Sequence, residues 1–483
     1  MTFTTVTFLL FFLVVFSFYW VLGTARRQNL FLIVASYFFY GWWDPRFCLL
    51  MLFSTMVDFW AGARVESAET GGKRKLWLGV SLVSNLGLLG YFKYYDFFYD
   101  SLREAASSIG LRLEPSTLFI VLPVGISFYT FQSMSYTLDI YRGRLKATRD
   151  PVLFVAFVSF FPQLVAGPIE RARDLLPQFT SRRTFDEEKA RLGCRYILWG
   201  AFQKLAIADN MALFVDPIYG AHEKAFGVAL LFATVCFSLQ IYADFSGYSC
   251  IAIGLANLLG VKLSRNFAYP YFSQSVGEFW RRWHISLSSW FRDYVYIALG
   301  GSRVGKNRMI FNLMVTFLLS GLWHGANWTF IVWGAVNGLA LLPDAVRGSK
   351  KSGRGGAPFE NGLSLMGLLR MVATYLIICL SWVFFRARSV SEAGAILESI
   401  LTGVWSLTDW QNLVTVLWNS GSCAFPLLLA LGMLIWEWIK RREELPLTFN
   451  GIPRGWRWTI YTALLWVTII WTQRSGQFIY FQF

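Results

Sequence analysis

Apolar stretches recur along the chain near residues 3–23, 29–43, 47–62, 76–92, 116–138, 151–168, 196–216, 226–256, 309–342, 363–385, 423–439 and 458–472. A hydrocarbon core about 30 Å thick takes about 20 residues of helix, and fewer where tilt or local thinning absorbs the mismatch. Isolated strands cannot satisfy their backbone groups in lipid, so each run predicts a helix. The pattern therefore predicts an all-α polytopic integral membrane protein of about 10–12 membrane helices. No soluble domain, low-complexity linker or internal repeat interrupts it, so residues 1–483 read as a single transmembrane domain.

The polar positions between the runs set the topology. Segments 63–75, 142–149, 262–308, 347–354 and 440–457 are basic, and Arg26 and Arg27 directly follow the first run. The positive-inside rule puts such loops in the cytoplasm. Simple alternation from Arg26 accommodates the first two loops. It then fails unless some runs enter and leave on the same face. One candidate is 151–168, broken by Pro162. The other is Met309–Leu342, 34 residues without a charge between two basic flanks. As one helix that run would be about 50 Å long, so a broken or re-entrant element bent near Gly321–Asn327 is expected. A strongly tilted single helix is the alternative.

Composition agrees with a lipid environment. The chain is 55% hydrophobic and only 15% charged, against about 25% charged in an average soluble protein. The first run has no basic leader and no small-residue cleavage site, so it reads as an uncleaved span. The net charge of +15 is accounted for by cytoplasmic loops, and no nucleic-acid partner is expected. The flexible basic loop Gly348–Gly356 is one of them. Six scattered cysteines form no CxxC pair, so neither a disulfide framework nor a metal site is expected. Walker, HExxH and GxSxG motifs are absent.

The candidate chemistry centres on "SGLWHGANWTF", Ser320–Phe330, which places His324 inside the uncharged run. An ionisable group within a membrane is a functional-site hypothesis by default. Neutral imidazole is a competent general base. Gly321 and Gly325 leave room for a substrate, and Asn327, Trp323 and Trp328 offer N–H donors to an oxyanion. A packed histidine bonded to a neighbouring carbonyl fits the same pattern. Residues 277–301 predict an amphipathic interfacial helix, with Trp280, Trp283, His284, Leu287, Trp290, Phe291 and Tyr294 on one face. Its other face carries Arg281, Arg282 and Arg292, whose guanidinium forks suit a phosphate-bearing ligand. His222 reads as a solvated loop residue. Lys204 and Asp209 form a candidate ion pair, and Gln240, Tyr242, Asp244, Ser246 and Tyr248 form a polar cluster that would line a cavity. Broken helices and buried polar groups also fit a transporter.

Several phrases carry a family resemblance: "SFYTFQSMSYTLDIYRG" (127–143), "FPQLVAGPIER" (161–171), "YADFSGYSCIAIGLANLLG" (242–260), "NFAYPYFSQSVGEFWRRWHISLSSWFRDYVYIALGG" (266–301), "GLWHGANWTFIVWGAVNG" (321–338) and "FIYFQF" (478–483). Together they resemble bacterial membrane-bound O-acyltransferases (MBOAT), in particular the AlgI-like alginate O-acetyltransferase branch. The resemblance implies helices around a central tunnel in the bacterial inner membrane. It implies acetyl-CoA as cytoplasmic donor, and a periplasmic SGNH-type acetyltransferase as partner that modifies an exopolysaccharide, alginate first. On this sequence the essential histidine falls on His324 and the second on His284, with Asn327 as an oxyanion candidate. Arg281, Arg282, Trp283, Arg292 and Trp323 are the donor-binding candidates. His324 is left as general base or transient acyl carrier. D-alanyl or other acyl transfer to a cell-wall polymer is the alternative within the family, and a transporter without acyl chemistry the alternative outside it.

Overall fold

The computed structural model describes residues 1–116, 118, 120–165, 167–346, 358–359, 362–419, 424–449 and 451–472. The basic loop 348–356 and the C-terminal 478–483 lie outside the described residues. Among the described residues there is no strand. They form two compact units: 1–194 with 252–264, and 195–251 with 265–483.

Among the described residues, five helices are long and apolar enough to cross a membrane: Arg46–Ser67, Gly71–Ser108, Gly227–Leu258, Trp328–Val346 and Leu365–Arg386. Val6–Tyr19 and Phe425–Ile439 are shorter apolar helices. The chain is an all-α, multi-pass membrane protein. Several other apolar runs are apolar because protein encloses them. Run 151–168 contains only the nine-residue helix Pro151–Ser159 and one turn, Phe161–Leu164. Asp150 caps the first helix by accepting from the Val152 and Leu153 amides, and Pro151 begins it with φ preset. From Leu153 to Leu164 every side chain is buried.

In the first unit, Arg46–Ser67, Gly71–Leu89 and Ile126–Tyr141 pack around a polar cluster. Asp58 is fully buried and accepts from Ser81 Oγ at 2.5 Å and from Asn85 Nδ2 at 2.8 and 2.9 Å. Ser54 Oγ and Ser133 Oγ donate in turn to Asn85 Oδ1. A carboxyl at membrane depth persists when its oxygens are satisfied in this way.

In the second unit the uncharged run resolves into two antiparallel helices, Lys306–His324 and Trp328–Val346, joined at Gly325–Asn327. The expected break is present, and the basic flank is part of the first helix. A Cβ at Gly321 would run into the Phe330 carbonyl, so glycine there lets the two backbones touch. The expected pair Lys204–Asp209 is a buried triad: Lys204 Nζ lies 2.8 Å from Asp209 Oδ1 and 2.7 Å from Asp244 Oδ1. It sits on the π-turn Phe202–Ala208. Tyr242 and Gln203 donate to the buried Glu437, and Ser246 donates to Gln203 Oε1.

The expected continuous helix over 277–301 is broken. It runs as Val276–Arg282, Ile285–Phe291 and a π-turn Arg292–Tyr296. The break falls on His284, whose φ is 43°. A left-handed backbone on a non-glycine residue costs about 1–3 kcal/mol and persists where its surroundings over-determine it. Ala268 and Ile285 amides bond to the Arg282 and Asn266 carbonyls and pin both sides of the break. The aromatic face is largely buried within protein and does not lie in the plane of the lipid interface: Trp283, Leu287, Trp290, Phe291 and Tyr294 are all buried.

Candidate active site

Two helix ends bring the two histidines together. His324 ends the helix Lys306–His324 and is buried. His284 starts the helix Ile285–Phe291 and is 1% exposed. Their ring centroids are 6.3 Å apart. Trp323 lies beside both, at 5.1 Å from His324 and 5.9 Å from His284. Trp333 and Phe385 each meet the His324 ring at 5.2 Å. Gly321 and Gly325 leave no space for a substrate, contrary to the expectation, because the Phe330 carbonyl and ring occupy it.

His284 is held by Asn266. Its Nδ1 lies 3.1 Å from Asn266 Oδ1. The same oxygen accepts from Ser286 N at 3.3 Å and from Ser286 Oγ at 2.9 Å, and Asn266 Nδ2 donates to Ser249 Oγ at 3.2 Å. The Ser286 backbone N–H, which can only donate, identifies the atom facing the imidazole as the amide oxygen. His284 Nδ1 therefore carries the proton. Nε2 is buried and has no hydrogen-bond partner among the described residues. Burial pushes the imidazole down to about 3, so it is neutral at ordinary pH.

Beside this pair lies a cavity of ≈ 870 Å³. It follows the helix Lys306–His324 through Leu313, Thr316 and Phe317 to Ser320, one turn before His324. Its walls carry six arginines, Arg265, Arg281, Arg282, Arg292, Arg441 and Arg442, against Glu278, Glu443 and Glu444. Arg281, Arg292 and Arg442 are exposed. Arg282 is paired with Glu278 at 2.8 Å. Arg441 donates to the Pro358 and Trp438 carbonyls. At the inner end Trp280 packs edge to face on Phe317 and on Trp333, each at 5.5 Å.

Three of the five expected donor-binding residues, Arg281, Arg282 and Arg292, line this cavity. Trp283 and Trp323 do not. Trp283 is packed among Phe279, Phe267 and Trp382, and Trp323 stands beside the two histidines. Asn327 is engaged at the hairpin turn. Its Nδ2 donates to the Arg388 carbonyl at 3.1 Å, and its Oδ1 accepts from Thr329 N at 2.9 Å, capping the helix Trp328–Val346. His222 lies far along the chain in a partly exposed turn, 3.6 Å from Glu392. Beyond counting Arg265 in the basic segment 262–308, sequence reasoning missed Asn266, Arg441 and Arg442. The last two were legible only as topology-setting charge, and Asn266 had no signal beyond its place in the long 266–301 phrase.

Residues 145–346 match the membrane-bound O-acyltransferase (MBOAT) family, a range that includes both buried histidines. The chain is 42% identical over 412 residues to a protein of Pseudomonas aeruginosa named probable alginate O-acetylase AlgI, covering 85% of this chain and 76% of that one. It is 34% identical to the peptidoglycan O-acetyltransferase of Helicobacter pylori, over 79% of this chain and 76% of that one. It is 30% identical to a teichoic acid D-alanyltransferase of Streptococcus thermophilus, over 51% of this chain and 63% of that one.

Proposed function

The chain belongs to the membrane-bound O-acyltransferase family and is an O-acyltransferase, and on that premise we propose that it takes acetyl from cytoplasmic acetyl-CoA and passes it across the bacterial inner membrane for O-acetylation of an exopolysaccharide. The observation that carries this reading is the arginine-walled cavity reaching to Ser320, one turn from His324. A CoA donor carries several phosphate charges at one end and a small uncharged thioester at the other. Arginines match the phosphates with charge-assisted forks. The uncharged inner end, of Thr316, Phe317, Trp280 and Ser320, suits the thioester.

In this mechanism the acceptor hydroxyl attacks the thioester carbonyl and His324 takes its proton as general base. The C–S bond breaks as the new C–O bond holds. The thiolate leaves and receives the proton from His324, so an ester and free CoA result. His284, neutral and adjacent, assists. Asn327 fixes the turn that ends at His324. Relatives named alginate O-acetylase make alginate the first acceptor to test. A periplasmic SGNH-type acetyltransferase would complete the transfer to the polysaccharide.

The test uses purified protein in nanodiscs with acetyl-CoA, water standing in for the acceptor hydroxyl, and follows thiol release. Release by the wild-type protein that falls at least about 10²-fold in a folded His324→Ala variant supports the reading. Equal release from both sinks it.

A further inference from the structure

The bond between Asn266 and His284 specifies more than a packing contact. Neutral imidazole has one N–H and one lone pair, and the partner of one nitrogen decides what the other offers. Asn266 Oδ1 is identified as the oxygen by the Ser286 backbone N–H, so it can only accept. His284 Nδ1 donates to it. Nε2 is left as a buried lone pair without a partner among the described residues. The backbone reinforces the arrangement. His284 is held at φ 43°, and the Ile285 amide donates to the Asn266 carbonyl at 2.9 Å, so Asn266 grips the break with both main chain and side chain.

We propose that Asn266 is a positioning residue of the acyl transfer: it fixes His284 as the Nδ1–H tautomer, so that the Nε2 lone pair serves as a proton acceptor beside His324. The inference rests on the acyl-transfer reading above. Ring centres 6.3 Å apart keep the nitrogens of the two imidazoles at least about 4 Å from one another, beyond a direct hydrogen bond and enough for one oxygen between them. A water or the acceptor hydroxyl bridges that gap. When His324 takes up a proton or an acyl group it becomes cationic, and the His284 lone pair stabilises it through the bridging oxygen. The opposite tautomer would present an N–H there and oppose the same charge. The relation is that of an orienting group to a catalytic imidazole, in which a wrong tautomer alone suppresses turnover. Asn266 has no contact with the substrate in this scheme.

The experiment compares wild type with Asn266→Ala, Asn266→Asp and Ser286→Ala. It reads thiol release from acetyl-CoA against pH, and the nitrogen spectrum of histidine labelled with nitrogen-15. With three histidines in the chain, His284 is assigned from the His222→Gln and His324→Ala spectra. In the wild type His284 is expected protonated at Nδ1 and bare at Nε2. Asn266→Ala loses that tautomer, and kcat falls about 10²-fold with KM within about threefold. Asn266→Asp keeps the tautomer and recovers most of kcat. Its carboxylate stabilises the imidazolium, so the acidic limb of the pH profile moves up by at least about one unit. Ser286→Ala stays within about threefold of wild type. A wild-type His284 protonated at Nε2 overturns the proposal, as does a folded Asn266→Ala with unchanged kcat. Equal losses in Asn266→Ala and Ser286→Ala, without a tautomer change, also overturn it. Absence of thiol release from the wild-type protein fails the donor reading instead, and the nitrogen spectrum still decides the tautomer.

Discussion

Trp280 and Trp333 meet edge to face at 5.5 Å, and the same Trp333 lies 5.2 Å from His324. Trp280 also lines the cavity, so the two indoles stand between its inner end and the histidine. In the proposed acyl transfer the carbonyl must come within reach of His324, so these rings would set how large an acyl group passes. Trp280→Ala should raise thiol release from propionyl-CoA relative to acetyl-CoA by at least about fivefold, because an indole-sized volume opens at that end. Competition assays with the two thioesters check this, and an unchanged ratio refutes a size-limiting role.

The arginines contributed by residues 441 and 442 belong to the same cavity wall as Arg281 and Arg292. Arg441→Ala and Arg442→Ala should each raise KM for acetyl-CoA by about threefold to tenfold with kcat unchanged, as expected for contacts made equally in ground and transition states. The effect of Arg442→Ala should shrink with added salt, since its charge is exposed and screened. A fall in kcat at constant KM would place these residues elsewhere in the cycle.

Asn327 separates two roles cleanly. As the cap of the helix Trp328–Val346 it accepts from Thr329 N and donates to the Arg388 carbonyl. Asn327→Ala should lower stability by about 1 kcal/mol, and Asn327→Asp or Ser should restore most of it. Turnover should follow stability across the three. If the amide N–H instead held an oxyanion, Asn327→Asp would keep the melting temperature and abolish turnover.

Glu170 supplies a pH-dependent contact in the first unit. It is buried and accepts from both the backbone N–H and the hydroxyl of Ser264. Burial pushes its carboxyl up to about 7. A carboxyl raised above its unfolded value favours the protonated fold. Its contribution is complete below about pH 4.5 and is lost as pH rises through about 7. Thermal unfolding in detergent should therefore show a drop between about pH 5 and pH 8 that Glu170→Gln flattens. Parallel curves for the two proteins would exclude it.

Hydrophobic patterning located the helices because lipid and protein interiors demand the same apolar side chains. That same equivalence hid which runs cross. Residues 151–168 read as a membrane run, yet their helix is nine residues long and enclosed by protein. Length arithmetic did find the break after His324, since 34 uncharged residues cannot form one helix of ordinary span. The break at His284 was invisible to it. A regular 100° projection assigned Trp283 and His284 to one helix face, and only tertiary bonds to residues 266 and 268 create the left-handed residue there. That Arg281, Arg282 and Arg292 line one cavity agrees with their reading as one charged face, since charge survives projection errors. Asn266 was not found, because its contact with His284 joins two separate segments.

The contact of Gly321 with the Phe330 carbonyl joins two helices by their main chains, with no side chain between to repack. Such a hairpin has little slack. In a thicker or thinner bilayer it answers mismatch by tilting as one body. Ser320 and His324 then change depth together, and the spacing between the cavity's end and the histidine is kept. The proposed chemistry would thereby be referenced to the protein's own backbone and not to the lipid around it.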